Sequence, residues 1–238
     1  MDEFALDVMA VGAHPDDVEI GCGGTLATLA RQGYRVGIVD LTDGEPTPGS
    51  PGPEARLAEA QKAAQTLGLC RRATLSLPNR RLFDSFEARV ALAIEIRRSR
   101  PSLMLALGGK TPSASPDHAQ AALITEAAAF YAKLSKWDAE FAGLPPAPQP
   151  MVLYYHLALR SLMPAPPNAL VVDVSDTLEI KLAAIACYAT QFAHRPEILD
   201  RIRIFTQQQG MAAGFAAGEV LASPTAIGTR DLMGLLFG

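Results

Sequence analysis

Ala5-Leu6-Asp7-Val8-Met9-Ala10-Val11, then Thr25-Leu26-Ala27-Thr28-Leu29-Ala30-Arg31, then Arg35-Val36-Gly37-Ile38-Val39-Asp40-Leu41: these runs decide the fold class. The first and third are apolar stretches of strand length. The second opens a helix that stops at Gln32-Gly33. The alternation continues downstream. From Glu54 to Leu67, Leu57, Ala60, Ala64 and Leu67 recur at the three-to-four spacing of one helical face. Ala73 to Leu77 reads as a strand, Phe86 to Arg98 as a helix, Leu103 to Leu107 as a strand, and Ala119 to Leu134 as a long helix. Strands alternating with helices of this length require βαβ crossovers. The expectation is an α/β fold: a three-layer αβα arrangement around a Rossmann-like, mostly parallel sheet.

The second half is less regular. Gly143 to Pro150 and Pro164 to Pro167 are proline-rich loops, with strands expected at Met151 to Leu159 and Ala169 to Val174. Asp176 followed by Glu179 has the spacing of a capping box and predicts a helix running to about Ala189. Another helix follows Pro196, and the tail Gly228-Thr229-Arg230-Asp231-Leu232-Met233-Gly234 is unassigned. There is no internal repeat, and neither half looks able to bury a separate core. Residues 1–238 are therefore read as a single domain.

Composition narrows the function. At 238 residues, 49% hydrophobic and 19% charged, the chain is not disordered; a domain of this size buries roughly 70% of its unfolded surface. A net charge of −4 with no basic cluster argues against nucleic acid. No apolar run reaches the ~18 residues of a membrane span. Met1-Asp2-Glu3-Phe4 is acidic and leads straight into a strand, so no signal peptide is expected. Cys22, Cys70 and Cys187 are odd in number and lack a CxxC spacing, which speaks against a disulfide framework or a cysteine zinc site. A cytoplasmic location is the expectation.

The chemistry concentrates in Ala13-His14-Pro15-Asp16-Asp17-Val18-Glu19, at the carboxyl end of the first strand, where open parallel sheets place their ligand crevice. His14 and Asp17 can ligate one divalent ion from a tight turn, leaving Asp16 free beside it. Equally, Asp16 or Asp17 caps the next helix and His14 is a satisfied core histidine. Ser115-Pro116-Asp117-His118 follows the strand Leu103 to Leu107, again at a carboxyl end. If those two strands are neighbours across the switch point, His118 becomes a third ligand. Two histidines and a carboxylate with an open position make the ligand set of a catalytic zinc site, and Fe2+ or Co2+ can take the same donors. Alone, His118 is also a solvated helix N-terminus.

These residues carry a resemblance. Ala-His-Pro-Asp-Asp with a downstream Pro-Asp-His resembles the LmbE-like (PIG-L) family of metal-dependent N-acetylglucosaminide deacetylases. The likeness continues through Gly21-Cys22-Gly23-Gly24-Thr25, Leu41-Thr42-Asp43-Gly44-Glu45 and Arg56. Tyr188-Ala189-Thr190-Gln191-Phe192 is similar to the Tyr-x-Ser-Gln-Phe of members that deacetylate N-acetylglucosaminyl malate for bacillithiol synthesis. The last forty residues match no family pattern.

The resemblance implies a zinc-dependent hydrolase that removes acetyl from a small amino sugar. It implies His14, Asp17 and His118 as metal ligands, Asp16 as general base, Arg56 and Asp84 against the sugar or its anionic aglycone, and Tyr188 near the acetyl carbonyl. A homo-oligomer, trimer or hexamer, is implied too. One departure matters: relatives read His-Pro-Asp-His where this chain has Ser115 first. Serine is no proton donor near neutrality, so either His194 takes over the missing role or Asp16 shuttles the proton alone. Cys22 reads as a small buried residue and His156 as structural. The glycines 21, 23 and 24 read as close packing at a helix start, because no GxGxxG follows the strand. That absence leaves a nucleotide-dependent oxidoreductase with the fold class alone in its favour. A non-catalytic glycan- or metal-binding member of the family, and an amide hydrolase of a non-sugar metabolite, also fit these residues.

Overall fold

The computed structural model describes residues 4–157, 166–231 and 233–234. The strands β1 (Val8–Gly12) and β2 (Val36–Asp40) are buried along their whole length, as expected of strands covered on both faces. With β3 (Arg71–Thr74), β4 (Leu103–Leu107), β5 (Met151–Tyr155), β6 (Ala169–Asp173) and β7 (Gly218–Ala222) they form one seven-stranded sheet, order β3-β2-β1-β4-β5-β7-β6. Pairing is parallel from β3 through β5, while β7 lies antiparallel between β5 and β6.

Seven helices are assigned among the described residues: α1 (Asp17–Arg31), α2 (Pro53–Thr66), α3 (Phe86–Ser99), α4 (Asp117–Tyr131), α5 (Leu178–Ala186), α6 (Ala189–Phe192) and α7 (Glu197–Met211). Their starts follow local rules. Pro53 opens α2 directly after Gly52, and the Ser85 hydroxyl accepts from the Ala88 amide to open α3. Helix α3 packs on α4, whereas α1, α2 and α7 pack on α5, which gives the expected αβα layers. The chain steps outward from β1 to β3 and returns to β4. Its switch point therefore lies between β1 and β4, which pair in register from Val8↔Leu103 to Ala10↔Leu105. The two turns singled out in the sequence leave the sheet side by side.

Helix α1 is broken at Cys22 (φ −146°, ψ 22°), where it restarts. A restarted helix presents unpaired amides, and here Gly24 N and Thr25 N donate to Glu219 of β7 at 2.9 and 2.6 Å. The Lys181 ammonium pairs with the same carboxylate at 2.6 Å, and both side chains are buried. Gly21 and Gly24 serve close packing, as expected, whereas Gly23 has ordinary room. A Cβ on Gly21 would lie 2.2 Å from the Tyr155 ring, and one on Gly24 would lie 2.8 Å from Val174. Tyr155 is itself pinned, its hydroxyl donating to Val11 O at 2.8 Å.

Three boundaries differ from expectation. The strand expected over Met151 to Leu159 ends at Tyr155; residues 158–165, with the start of the Pro164 loop, lie outside the described residues. The capping box at Asp176 does not form. Thr177 is the N-cap, its hydroxyl donating to Gly24 O at 2.9 Å, and Glu179 is drawn to Arg203 of α7 instead. That helix stops at Ala186 rather than Ala189, and the chain turns at Tyr188 (φ −83°, ψ 63°) into α6. No helix among the described residues is long and apolar enough to cross a membrane, and Cys22, Cys70 and Cys187 are free thiols.

Candidate metal centre

Beyond β1 the chain enters a turn fixed from β2: the amide and hydroxyl of Thr42 donate to Ala13 O at 3.1 and 2.9 Å. The His14 amide then donates to Asp17 Oδ2 at 2.9 Å. This brings His14 Nδ1 to 3.3 Å from Asp17 Oδ2. From the first turn of α4, His118 Nε2 approaches Asp17 Oδ1 at 3.3 Å. The ring centroids are 5.4 Å apart, and one ligand atom from each of His14, Asp17 and His118 lies within 4.8 Å of the others.

The outer ring nitrogens are held as well. His14 Nε2 lies 3.2 Å from Asp117 Oδ2, which also accepts the Arg80 amide at 2.6 Å. His118 Nδ1 lies 2.8 Å from Thr111 Oγ1. Outer partners of this kind fix the orientation and basicity of a ligating imidazole. The residues present therefore suit a divalent cation in both donor set and support. Neither partner was assigned from sequence. Asp117 stood inside the quoted motif without a role, and Thr111 lay in a loop with no pattern to flag it. Asp117→Asn is expected to weaken metal binding by about 10–100-fold, read by competition against a chromophoric chelator; unchanged affinity would remove Asp117 from this role.

Charge in the cluster is polarised. Burial opposes a charged His14, but its hydrogen bonds to Asp117 and Asp17 prevail and raise its pKa to about 10. Burial likewise opposes an ionised Asp17, yet His118 and His14 hold it far below the usual carboxylate range. Asp16, next in the chain, is pushed up to about 7 by burial against the pull of Arg56. Asp16 is the N-cap of α1 at φ 111°, and its Oδ2 lies 3.0 Å from Arg56 Nη2. Together Asp17 and His118 floor a cavity of about 360 Å³, walled by Ile20, Leu157 and Ile198 and edged by Arg195 and Arg201. This is within the range of small-molecule sites.

The structure places the other four expected site residues as follows. Arg56, expected against substrate, is 2% exposed and turned onto Asp16 and the Pro15 carbonyl. Tyr188, expected at the acetyl carbonyl, is 0% exposed; its hydroxyl donates to Glu19 at 2.6 Å. Glu19 in turn accepts from Arg72, whose guanidinium forks onto Asp40 at 2.7 and 2.9 Å, so Tyr188 belongs to a buried ionic network behind the site. Asp84 has both oxygens taken by Arg89 at the start of α3. His194 is exposed after α6, lining a cleft of about 600 Å³ with Pro48 and Gly49. That cleft shares Arg195 with the cavity above Asp17 and His118, but His194 does not line the cavity. Ser115 accepts from the Asp117 amide at 3.3 Å and so helps open α4. The His156 ring lies against Gly108 and lines a cleft with Tyr154 and Leu123.

Comparison with known proteins gives a consistent picture. The family model described as "PIG-L: GlcNAc-PI de-N-acetylase" matches residues 9–129, which include both turns of the centre. A diacetylchitobiose deacetylase of Thermococcus kodakarensis is 32% identical over 194 residues, 78% of this chain and 70% of that one. Among solved structures, the conserved protein TT1542 of Thermus thermophilus superposes with a TM-score of 0.82 at 32% identity, covering 94% of this chain and 97% of its own. The N,N′-diacetylchitobiose deacetylase of Pyrococcus horikoshii, complexed with an inhibitor, has a TM-score of 0.77 at 25% identity, over 90% and 82% of the two chains.

Proposed function

The chain belongs to the PIG-L (GlcNAc-PI de-N-acetylase) family, and from that premise we propose that it is a metal-dependent N-deacetylase releasing acetate from an N-acetylglucosamine-type small molecule. The observation that carries this reading is the convergence of His14, Asp17 and His118 within 4.8 Å, with Asp16 left over beside them. These three would hold the ion; zinc is the first choice for the donor set, with Fe2+ or Co2+ as substitutes. When bound, the ion supplies Lewis acidity and lowers the pKa of water toward ~7.

Asp16 then takes the proton that the attacking water loses as its oxygen bonds to the acetyl carbon. It returns that proton to the nitrogen as the C–N bond breaks, because amine expulsion needs a proton. Acetate and a free amino sugar leave. Ser115 stands in the place of a histidine and His194 lines a neighbouring cleft, whereas Asp16 adjoins Asp17 in the same turn, so the shuttle through Asp16 alone is the favoured route.

The finer reading, an N-acetylglucosaminyl malate substrate, rests on the resemblance of residues 188–192. Assembly as a trimer or hexamer rests on the resemblance too, and a cytoplasmic location on the cysteine usage. The test is to incubate zinc-loaded protein with N,N′-diacetylchitobiose and with N-acetylglucosaminyl malate, measuring acetate and free amine. Release that stops on chelation and returns with metal supports the proposal. Bound metal without turnover on either would point to a binding protein, and release from non-sugar acetamides alone to a different amidase.

A further inference from the structure

We infer that Arg195 and Arg201, on the rim of the cavity over Asp17 and His118, read an anionic group on the substrate's aglycone, a carboxylate or a phosphate. The inference deepens the deacetylase reading given above and rests on it.

The backbone puts both residues there. The Arg195 amide donates to Phe192 O at 2.8 Å and its carbonyl accepts from the Ile198 amide at 3.0 Å, which fixes the turn between α6 and α7. Helix α7 is anchored by buried Ile202 and Thr206, and its Arg203 forks onto Glu179 of α5. Ile198 and Arg201, three residues apart, share one face of the helix, and both line the cavity. Arg195 also lines the neighbouring cleft of about 600 Å³, with Thr190, Gln191 and His194. It stands on the path between the two spaces.

Their charge is unmatched. Arg71, Arg72, Arg89 and Arg203 each pair with a carboxylate, whereas among the described residues neither Arg195 nor Arg201 forms an ion pair or a side-chain hydrogen bond. Glu197 lies four residues before Arg201, a spacing at which ion pairs form readily, yet Arg201 lines the cavity instead. Among the described residues of that lining Asp17 is the one carboxylate, and it is committed to the two histidines. A divalent ion on the floor makes the space more positive still. In a chain of net charge −4, such a cavity draws anions selectively. A neutral N-acetyl sugar answers none of this charge. An anionic aglycone answers it through the forked geometry that arginine offers carboxylate and phosphate.

The test compares two anionic substrates, N-acetylglucosaminyl malate and N-acetylglucosamine 1-phosphate, with neutral methyl N-acetylglucosaminide on zinc-loaded protein. The wild type should prefer one anion or both by about tenfold or more in kcat/KM, and the anion chosen separates carboxylate from phosphate. The double variant Arg195→Gln/Arg201→Gln should lower that preference by about 10–100-fold. The loss should fall on KM, because contacts equal in ground and transition states leave kcat unchanged. Arg195→Lys/Arg201→Lys keeps the charge without the fork and should fall between. Calorimetry with the matching amines, glucosaminyl malate, glucosamine 1-phosphate and methyl glucosaminide, reads binding without turnover and should show the same loss of selectivity. A wild-type preference below about tenfold overturns the inference while the deacetylase reading stands. So does a preference that the glutamine pair lowers by less than about tenfold, or lowers through kcat alone. If no sugar is deacetylated, the deacetylase reading fails, and the calorimetry alone decides whether these arginines bind the anion.

Discussion

Asp17→Asn is expected to give a folded protein that retains no divalent ion and releases no measurable acetate. Each oxygen of Asp17 faces a different histidine, Oδ2 toward His14 and Oδ1 toward His118, so the carboxylate is the hinge of the donor set. Asparagine keeps an acceptor for the His14 amide, which Asp17 now receives at 2.9 Å, and the turn should survive. What is lost is the negative charge that a divalent cation needs. Losing a Lewis acid worth several kcal/mol corresponds to a rate reduction of about 10³-fold or more. Metal analysis after gel filtration, run beside the acetate assay and a thermal melt, separates the outcomes. A variant with full metal content refutes the ligand assignment, and one that has lost its fold says the residue is structural.

Asp16→Asn is expected to keep its metal and lose its rate, by on the order of 10²–10⁴-fold. Asparagine is the informative replacement because Asp16 sits at positive φ, a region that asparagine tolerates far better than most residues. It also leaves an oxygen for Arg56 while removing the capacity to hold a proton between water and the leaving amine. Should metal and activity disappear together, Asp16 is the ligand and the two neighbouring carboxylates have exchanged roles. Should the rate persist, another group carries the proton, and His194 returns to consideration through its shared edge at Arg195.

The legibility of this chain is uneven for a physical reason. The strand–helix alternation through residue 134 is written in local periodicity, and both metal turns sit at strand carboxyl ends, so the sheet order placed His14 and His118 together without further information. What was not legible is partly long-range and partly local. Arg56 and Tyr188 are polar residues whose partners lie elsewhere in the fold, at Asp16 and Glu19, while Asp84 pairs with Arg89 five residues on. From sequence alone, a side chain directed at substrate looks the same as one directed at a buried ion. Strand β7 escaped entirely, since Glu219 makes Gly218–Ala222 an unpromising strand until Lys181 and two helix amides neutralise it. The break at Cys22 was invisible because no proline marks it; the glycines around it were read as packing aids and not as the site of a restart.

That restart has a consequence for how the molecule comes into being. Gly24 and the carboxylate that caps it are 195 positions apart, an interval that takes roughly 10–40 s to translate at ~5–20 residues per second. Throughout that interval the second half of α1 has no anion at its amino end. That half also lacks its tie to β7, which runs through Glu219 alone among its capping bonds. Completion of the restart in α1 thus waits for β7, although the residues on either side of Cys22 are made long before Glu219. Nascent chains arrested before Glu219 are expected to be cut readily by protease near Cys22, whereas chains carrying β7 resist cleavage there.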